Sequence, residues 1–390
     1  MIKKNKNTQR RNIYQIRGQT IATVVENADD LLIAGENEDL RIFLLTEYLA
    51  KCNENKIPFV LLYNNSRFSR IFKKSPLQMP VECIDGKNKV YDPFFGKDSA
   101  MIGNMLNKLI GEENVDVLVM IDLYCNLLKK QNEDISFQNL FKIGEMSAVQ
   151  LTQWTAEAKI TNIARTTIPD QGLRTKIQGT MMKLKEQLKF LWEEDCEEKT
   201  NIVESIHQGK CLCLNIPGIE HSYLEELVGM EINELIGANI EHCLAIEDIS
   251  LNETSSLYQC LNICERHYHK AVACLRLSSV FGLERQGNLN DSISRHLGNF
   301  DKIIVLRHRT TQDCMAFSEA FGTYRFVNQT VGTGVSRNPL QFFRSHHVEK
   351  TNSEEDRQRL RPEDILNLDQ DCAYIYDGKS SEIVETRILD

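Results

Sequence analysis

Seven short apolar runs constrain this chain more than any other feature: Leu31–Ala34, Phe59–Tyr63, Cys211–Ile216, His242–Ile246, Ala271–Leu275, Lys302–Leu306 and Ala373–Tyr376. They are largely continuous, not alternating. An alternating strand can show one face to water, whereas a continuous apolar strand must be covered on both. Helical segments lie between many of the runs. Leu40–Cys52 is apolar on most faces and reads as a buried helix, and Thr311–Gly322 offers Met315, Phe317, Ala320 and Phe321 for packing. Strands alternating with helices predict an α/β fold with a doubly wound, mostly parallel sheet.

The pattern changes between about residues 97 and 200. Met101, Ile102, Met105, Leu106, Leu109 and Ile110 follow helical spacing, as do Leu184, Leu188 and Leu191, while glycine and proline are sparse. Val115–Tyr124 fits either a strand or a buried helix. The expected organisation is a basic arm and lead-in over 1–28, a first sheet part over 29–96, an all-helical insertion over 97–200, and a second sheet part over 201–390.

The first strand runs into Gly35 and then into the helix near Leu40. Strand, glycine, short loop and helix form the frame of a phosphate-binding loop, G-x-x-x-x-G-K-[ST]. Counted from Gly35, the second glycine falls on Leu40, the lysine on Arg41 and the hydroxyl residue on Ile42. Such a loop uses glycines for close backbone approach, a cation for the phosphates and a hydroxyl for Mg²⁺. Gly35 and Arg41 are what remain of it. Glu36, Glu38 and Asp39 add three carboxylates where a polyanion would sit. Arg41 is expected on a solvated helix face, paired with a nearby carboxylate.

No apolar run approaches the roughly 20 residues of a membrane helix, and the N-terminus has no apolar signal-peptide centre. A cytoplasmic location is expected. A net charge of −9 argues against a surface that grips nucleic acid throughout. Residues 1–17 nevertheless hold Lys3, Lys4, Lys6, Arg10, Arg11 and Arg17 and no acid. That composition suits a phosphate backbone or an anionic membrane as well as a solvated tail. The 12 cysteines include no C-x-x-C pair, and several sit inside apolar runs as small hydrophobes. Cys260, Cys264, His267 and His269 lack the paired spacing of a zinc site, so no metal site is expected. Neither His221 with Ser222 nor Cys264 with His267 has the context of a nucleophile and its base.

The order of blocks resembles the coupling-protein ATPases of conjugation and type IV secretion, the TraG-like branch of the FtsK/HerA superfamily. The resemblance runs from about Asp29 to the C-terminus. After the loop helix, IPFVLLYNNSRF (Ile57–Phe68) occupies the place of the family's next strand and turn, and Tyr91-Asp92-Pro93-Phe94 matches an asparagine-proline-phenylalanine-like motif. The all-helical insertion follows, then the strand at Gly209–Ile216 and HCLAIED (His242–Asp248) at the Walker B strand. FDKIIVLRHRTTQDCMAFSEAFGT (Phe300–Thr323) and RQRLRPEDILNLDQDCAYIYDG (Arg357–Gly378) resemble the closing blocks.

By this resemblance the fold is RecA-like, the cofactors ATP and Mg²⁺, and the partners DNA, relaxase and secretion-channel proteins. A hexamer or association with an active coupling ATPase is implied as well. The implied catalytic stations are Glu247, Asp248, Arg266 and Arg276, with Gly35 and Arg41 at the nucleotide. Two or more of the four catalytic stations depart from the family. Walker B normally ends Asp-Glu, and here Glu247-Asp248 exchanges the side-chain lengths. Arg276 stands where the sensor glutamine is expected, and Arg266 corresponds to an arginine that reaches a neighbouring subunit's nucleotide. The membrane anchor common in the family is not seen in this chain. The expectation is a degenerate ATPase that keeps docking and assembly roles; its rival is an active DNA-translocating ring with an unusual loop.

Overall fold

The structure, a computed structural model, describes residues 29–64, 71, 77–84, 89–160, 170–191, 196, 198–216, 222–249, 254–261, 269–275, 300–336 and 345–388. The apolar runs become strands β1 (Asp30–Ala34), β2 (Phe59–Tyr63), β6 (Cys211–Asn215), β7 (His242–Glu247), β8 (His269–Leu275), β9 (Lys302–Val305) and β12 (Cys372–Asp377). Together with β3 (Val81–Ile84) and β13 (Glu382–Arg387) they make a 9-stranded sheet of order β13-β12-β9-β1-β8-β7-β2-β6-β3. All pairings from β9 across to β3 are parallel. At the other edge β12 is antiparallel to both of its neighbours, β9 and β13. This is the doubly wound, mostly parallel sheet that the continuous runs predict.

Side chains alternate between the two faces because a strand has period two. On one face Leu31, Ile33, Phe59, Leu61, Cys213, Ala245, Val272 and Ile304 pack under α1 (Glu38–Glu54) through Leu44, Leu45, Tyr48 and Leu49. On the other face Val60, Leu62, Leu212, Leu214, Leu244 and Ile246 join one apolar cluster with the helices of the middle region. Leu32, Ala34, Ile303 and Val305 pack against α10 (Thr311–Phe321) on Phe317 and Phe321. Burying each Val, Leu, Ile or Phe among them contributes about 1.5–3 kcal/mol.

Among the described residues between Ser99 and Leu188 the secondary structure is helical, with short connections: α2 (Ser99–Ile110), α3 (Val115–Lys130), α4 (Phe137–Glu145), α5 (Ala148–Glu157) and α6 (Gln171–Leu188). Asp98, Asn114, Ser136, Ser147 and Asp170 each cap one of them through a side-chain oxygen, which satisfies otherwise orphaned N–H groups. The ambiguous segment Val115–Tyr124 is therefore a helix start. Asn114 caps it and Lys129 and Lys130 sit in its last turn, where the helix dipole favours cations.

The chain enters this block through β4 (Val90–Tyr91) and leaves through β5 (Lys199–Thr200), which pair in parallel and form a neck. A buried polar network holds the neck. Tyr91 Oη donates to Glu231 Oε2 at 2.6 Å from α8 (Ser222–Gly237). Lys97 Nζ lies 3.4 Å from Glu231 and 2.9 Å from Glu234. The Asp92 carboxylate accepts from the N–H groups of Phe94 and Phe137, pinning the start of α4. Burial, partly offset by these donors, raises Asp92 to about 6.

Candidate functional site

In open α/β sheets ligands bind outside the carboxyl ends of the strands. Here that edge carries Gly35 after β1 and Glu247-Asp248 at the end of β7, with β8 between them. Gly35 has φ +153, and an added Cβ would lie 2.5 Å from Leu306 Cβ, so the turn is built around the absence of a side chain. Helix α1 begins at Glu38, only three residues after Gly35. In a phosphate-binding loop the second glycine, five residues on, meets the helix start; here that position, Leu40, is already helical and buried.

The backbone N–H groups of Glu36, Leu40 and Arg41 are engaged within the protein. Asn37 is the N-cap, and its side-chain oxygen accepts from Leu40 N–H at 3.2 Å. Arg41 N–H goes to the Asn37 carbonyl at 3.0 Å and Glu36 N–H to the Arg307 carbonyl at 3.1 Å. Glu38 and Asp39 occupy the first helical turn, where carboxylates interact favourably with the helix dipole and offset its attraction for a further anion.

Arg41 departs from expectation in position but not in partner type. It is 1% exposed, not on a solvated face. Its guanidinium donates to the Gly35 carbonyl and lies 3.6 Å from Asp248 Oδ2. Arg41 thus clamps the turn after β1 to the end of β7. The physical reason is that position 41 of α1 faces the ends of β1 and β7, not solvent. Nε of Arg41 has no hydrogen-bond partner among the described residues.

The two adjacent carboxylates diverge because Asp248 takes a left-handed conformation, φ 47, while its N–H stays bonded to the Cys274 carbonyl at 2.8 Å. Asp tolerates that conformation better than most residues. Glu247 is 1% exposed and accepts from Asn64 N–H at 3.4 Å. Burial, reinforced by Asp248 and opposed by Arg41 and Asn64, pushes its carboxyl up to about 7. Arg266 and Arg276 lie outside the described residues.

Sequence reasoning missed Asn37, Asn64 and His308. An Asn before an apolar helix with acids in its first turn is a cap signal that could have been used. His308 carried no signal. It is buried beside the Gly35 turn, donates from Nδ1 to the Leu306 carbonyl at 2.8 Å, and stacks edge-on with Phe317. Burial lowers its pKa. Of the cysteines and histidines weighed for zinc, His269 bonds to the Cys260 carbonyl and to His242, and the Cys260 thiol is pushed up to about 12 by burial. Cys264 and His267 lie outside the described residues. Among the described residues the ligand-type cluster is Asp369, Asp371 and Cys372, remote in sequence from the Gly35 turn.

Among solved structures, the chain is similar to the unbound bacterial conjugative coupling protein TrwBdeltaN70, with TM-score 0.57 and 12% identity over 95% of this chain and 89% of that one. The fold is that of a conjugative coupling protein. The likeness extends to TrwB in complex with ADP and Mg²⁺, at TM-score 0.54 and 14% identity over 95% of this chain and 88% of that one. At these identities it is the coupling-protein fold that is shared. No family model matches this sequence, and neither does any curated protein. Among the described residues no helix is long and apolar enough to cross a membrane.

Proposed function

We propose that this chain is a coupling-protein-like component of a conjugation or type IV secretion system in which the motor site has been closed, leaving a docking or assembly role with DNA-transfer machinery. The observation that carries this reading is the Arg41 clamp. The one cation at the phosphate-loop position is buried and spent on the Gly35 carbonyl and Asp248. The N–H groups of Leu40 and Arg41 are bonded to Asn37 and that of Glu36 to Arg307. Ile42 offers no hydroxyl to Mg²⁺, and Glu36, Glu38 and Asp39 repel a polyphosphate. TrwB is known with ADP and Mg²⁺, but the residues of this chain do not fit that ligand. No step of hydrolysis is assigned to Glu247 or Asp248, whose carboxylates serve the clamp and the β2–β7 strand ends.

Residues 97–200 are the proposed docking unit, held to the sheet by the β4–β5 neck, and 1–28 the proposed basic arm. Phosphate release with ATP–Mg²⁺, measured with and without DNA, tests the reading. The expected result is no turnover above buffer in either condition. DNA-stimulated release would instead support an active translocating ring.

A further inference from the structure

Strand β3 forms one outer edge of the sheet and pairs in parallel with β6. The register sets Cys83 opposite Cys213, hence on the same sheet face, and the two thiols are in hydrogen-bonding contact. Cys213 is fully buried and Cys83 is half-buried on the edge strand. A second pair, Cys52 of α1 against Cys243 of β7, is also in contact, but both of its members are buried. The two pairs share the same chemistry and differ in access.

We propose that Cys83 and Cys213 form a thiol–disulfide exchange site that takes a low-molecular-weight disulfide as oxidant and staples β3 to β6 at the sheet's outer edge, on the face covered by α1. The Cys83 thiolate attacks one sulfur of the oxidant, forming a mixed disulfide as the oxidant's own S–S bond breaks and releases one thiolate. The Cys213 thiolate then attacks the Cys83 sulfur, closing the protein disulfide and expelling the second small thiolate. Two protein thiols are oxidised, one small disulfide is reduced to two thiols, and the two protons end on those thiols. The order follows from access. Burial keeps Cys213 out of reach of a reagent in solution and holds its thiol well above the usual range, so little of it is thiolate and closure onto the adjacent Cys83 sulfur is the slower step.

Opposed residues on neighbouring strands have Cα atoms roughly 4.8 Å apart, inside the span of about 4.4–6.8 Å that a disulfide bridges. Parallel Cβ vectors at that spacing are wider than the usual disulfide, so closure draws the edge strand inward. A bond formed under such a constraint is readily reduced, which is the character of a reversible staple. Its position gives it consequence. β3 precedes the helical block and β6 follows it, so the bond closes a loop of about 130 residues that holds α2 through α6.

The test uses the full chain incubated with oxidised glutathione, followed by alkylation and peptide mapping. The expected product is a peptide pair joining Cys83 to Cys213, lighter by two hydrogens and reversed by dithiothreitol, with Cys52 and Cys243 recovered as free thiols. In Cys213→Ala the reaction should stop with glutathione on Cys83. Recovery of Cys83 and Cys213 as free thiols, a separate glutathione on each, or linkage of Cys52 to Cys243 instead would overturn the assignment. The wild-type map alone decides it, so poor folding of a variant does not blunt the result.

Discussion

Two places in this molecule bury a carboxyl group beside a cation, and they serve different ends. At the sheet edge Glu247 sits with Asp248 and Arg41; at the neck Glu231 sits with Tyr91 and Lys97. Burial pushes Glu247 and Glu231 alike up to about 7. The sheet-edge group lies where open α/β sheets hold ligands, whereas the neck group is walled in by α8 and the helical block. A perturbed pKa is therefore not a mark of catalysis in this fold. What distinguishes the two is how the cation is used: Lys97 reaches between two acids of one helix, while Arg41 joins two strand ends and takes up the space of a phosphate-loop cation.

The largest effect should come from breaking the neck. Lys97→Met leaves Glu231 without its cation in the core, and removal of one partner from a buried pair costs about 4 kcal/mol. Urea unfolding should show the loss, and a change below about 1 kcal/mol would mean that the neck pair is not structural.

The pH dependence sharpens the likeness between the two carboxyls. A carboxyl raised to about 7 in the folded state from an ordinary value of 4.5 contributes stability that is fully present below 4.5. That contribution is lost as pH rises through about 7. Stability relative to Glu231→Gln should therefore fall by about 2–3 kcal/mol between those limits, and relative to Glu247→Gln it should fall in the same sense. His269, lowered to about 4 by burial and by His242, acts oppositely between 4 and 6.5, so the readout is the difference between wild type and variant. A flat difference for Glu247→Gln alone would place its carboxyl in solvent.

Smaller effects are expected at the clamp. Arg41→Lys keeps the charge but loses the fork that reaches Gly35 and Asp248 together, and it should cost about 1–2 kcal/mol in thermal or urea unfolding. Gly35→Ala must displace Leu306 and adopt a conformation that L-residues disfavour, at about 2 kcal/mol for the two together. An unchanged midpoint for both would mean that the turn is looser than its packing indicates.

The sheet was legible because its central strands are covered on both faces. Phe59–Tyr63 matches its strand residue for residue, and the other six runs shift by one or two residues at their ends. Edge elements were not legible. Val81–Ile84 interleaves Glu82, which forms ion pairs with Lys89 and Lys210 on the surface. The long hairpin of β10 (Thr323–Ser336) and β11 (Ser345–Gln358) has an acidic second strand without an apolar run. At the site, the residue types were legible and their directions were not. Whether Arg41 faces water or the strand ends depends on strand order, and the divergence of Glu247 from Asp248 depends on one left-handed residue.

Isothermal titration of the wild-type chain with ATP–Mg²⁺ tests the clamp most directly. Arg41 committed to Gly35 and Asp248, with the N–H groups of Glu36, Leu40 and Arg41 bonded internally, predicts no saturable heat up to millimolar nucleotide. Saturable binding at micromolar concentration, with phosphate release abolished by Glu247→Gln, would contradict a closed site.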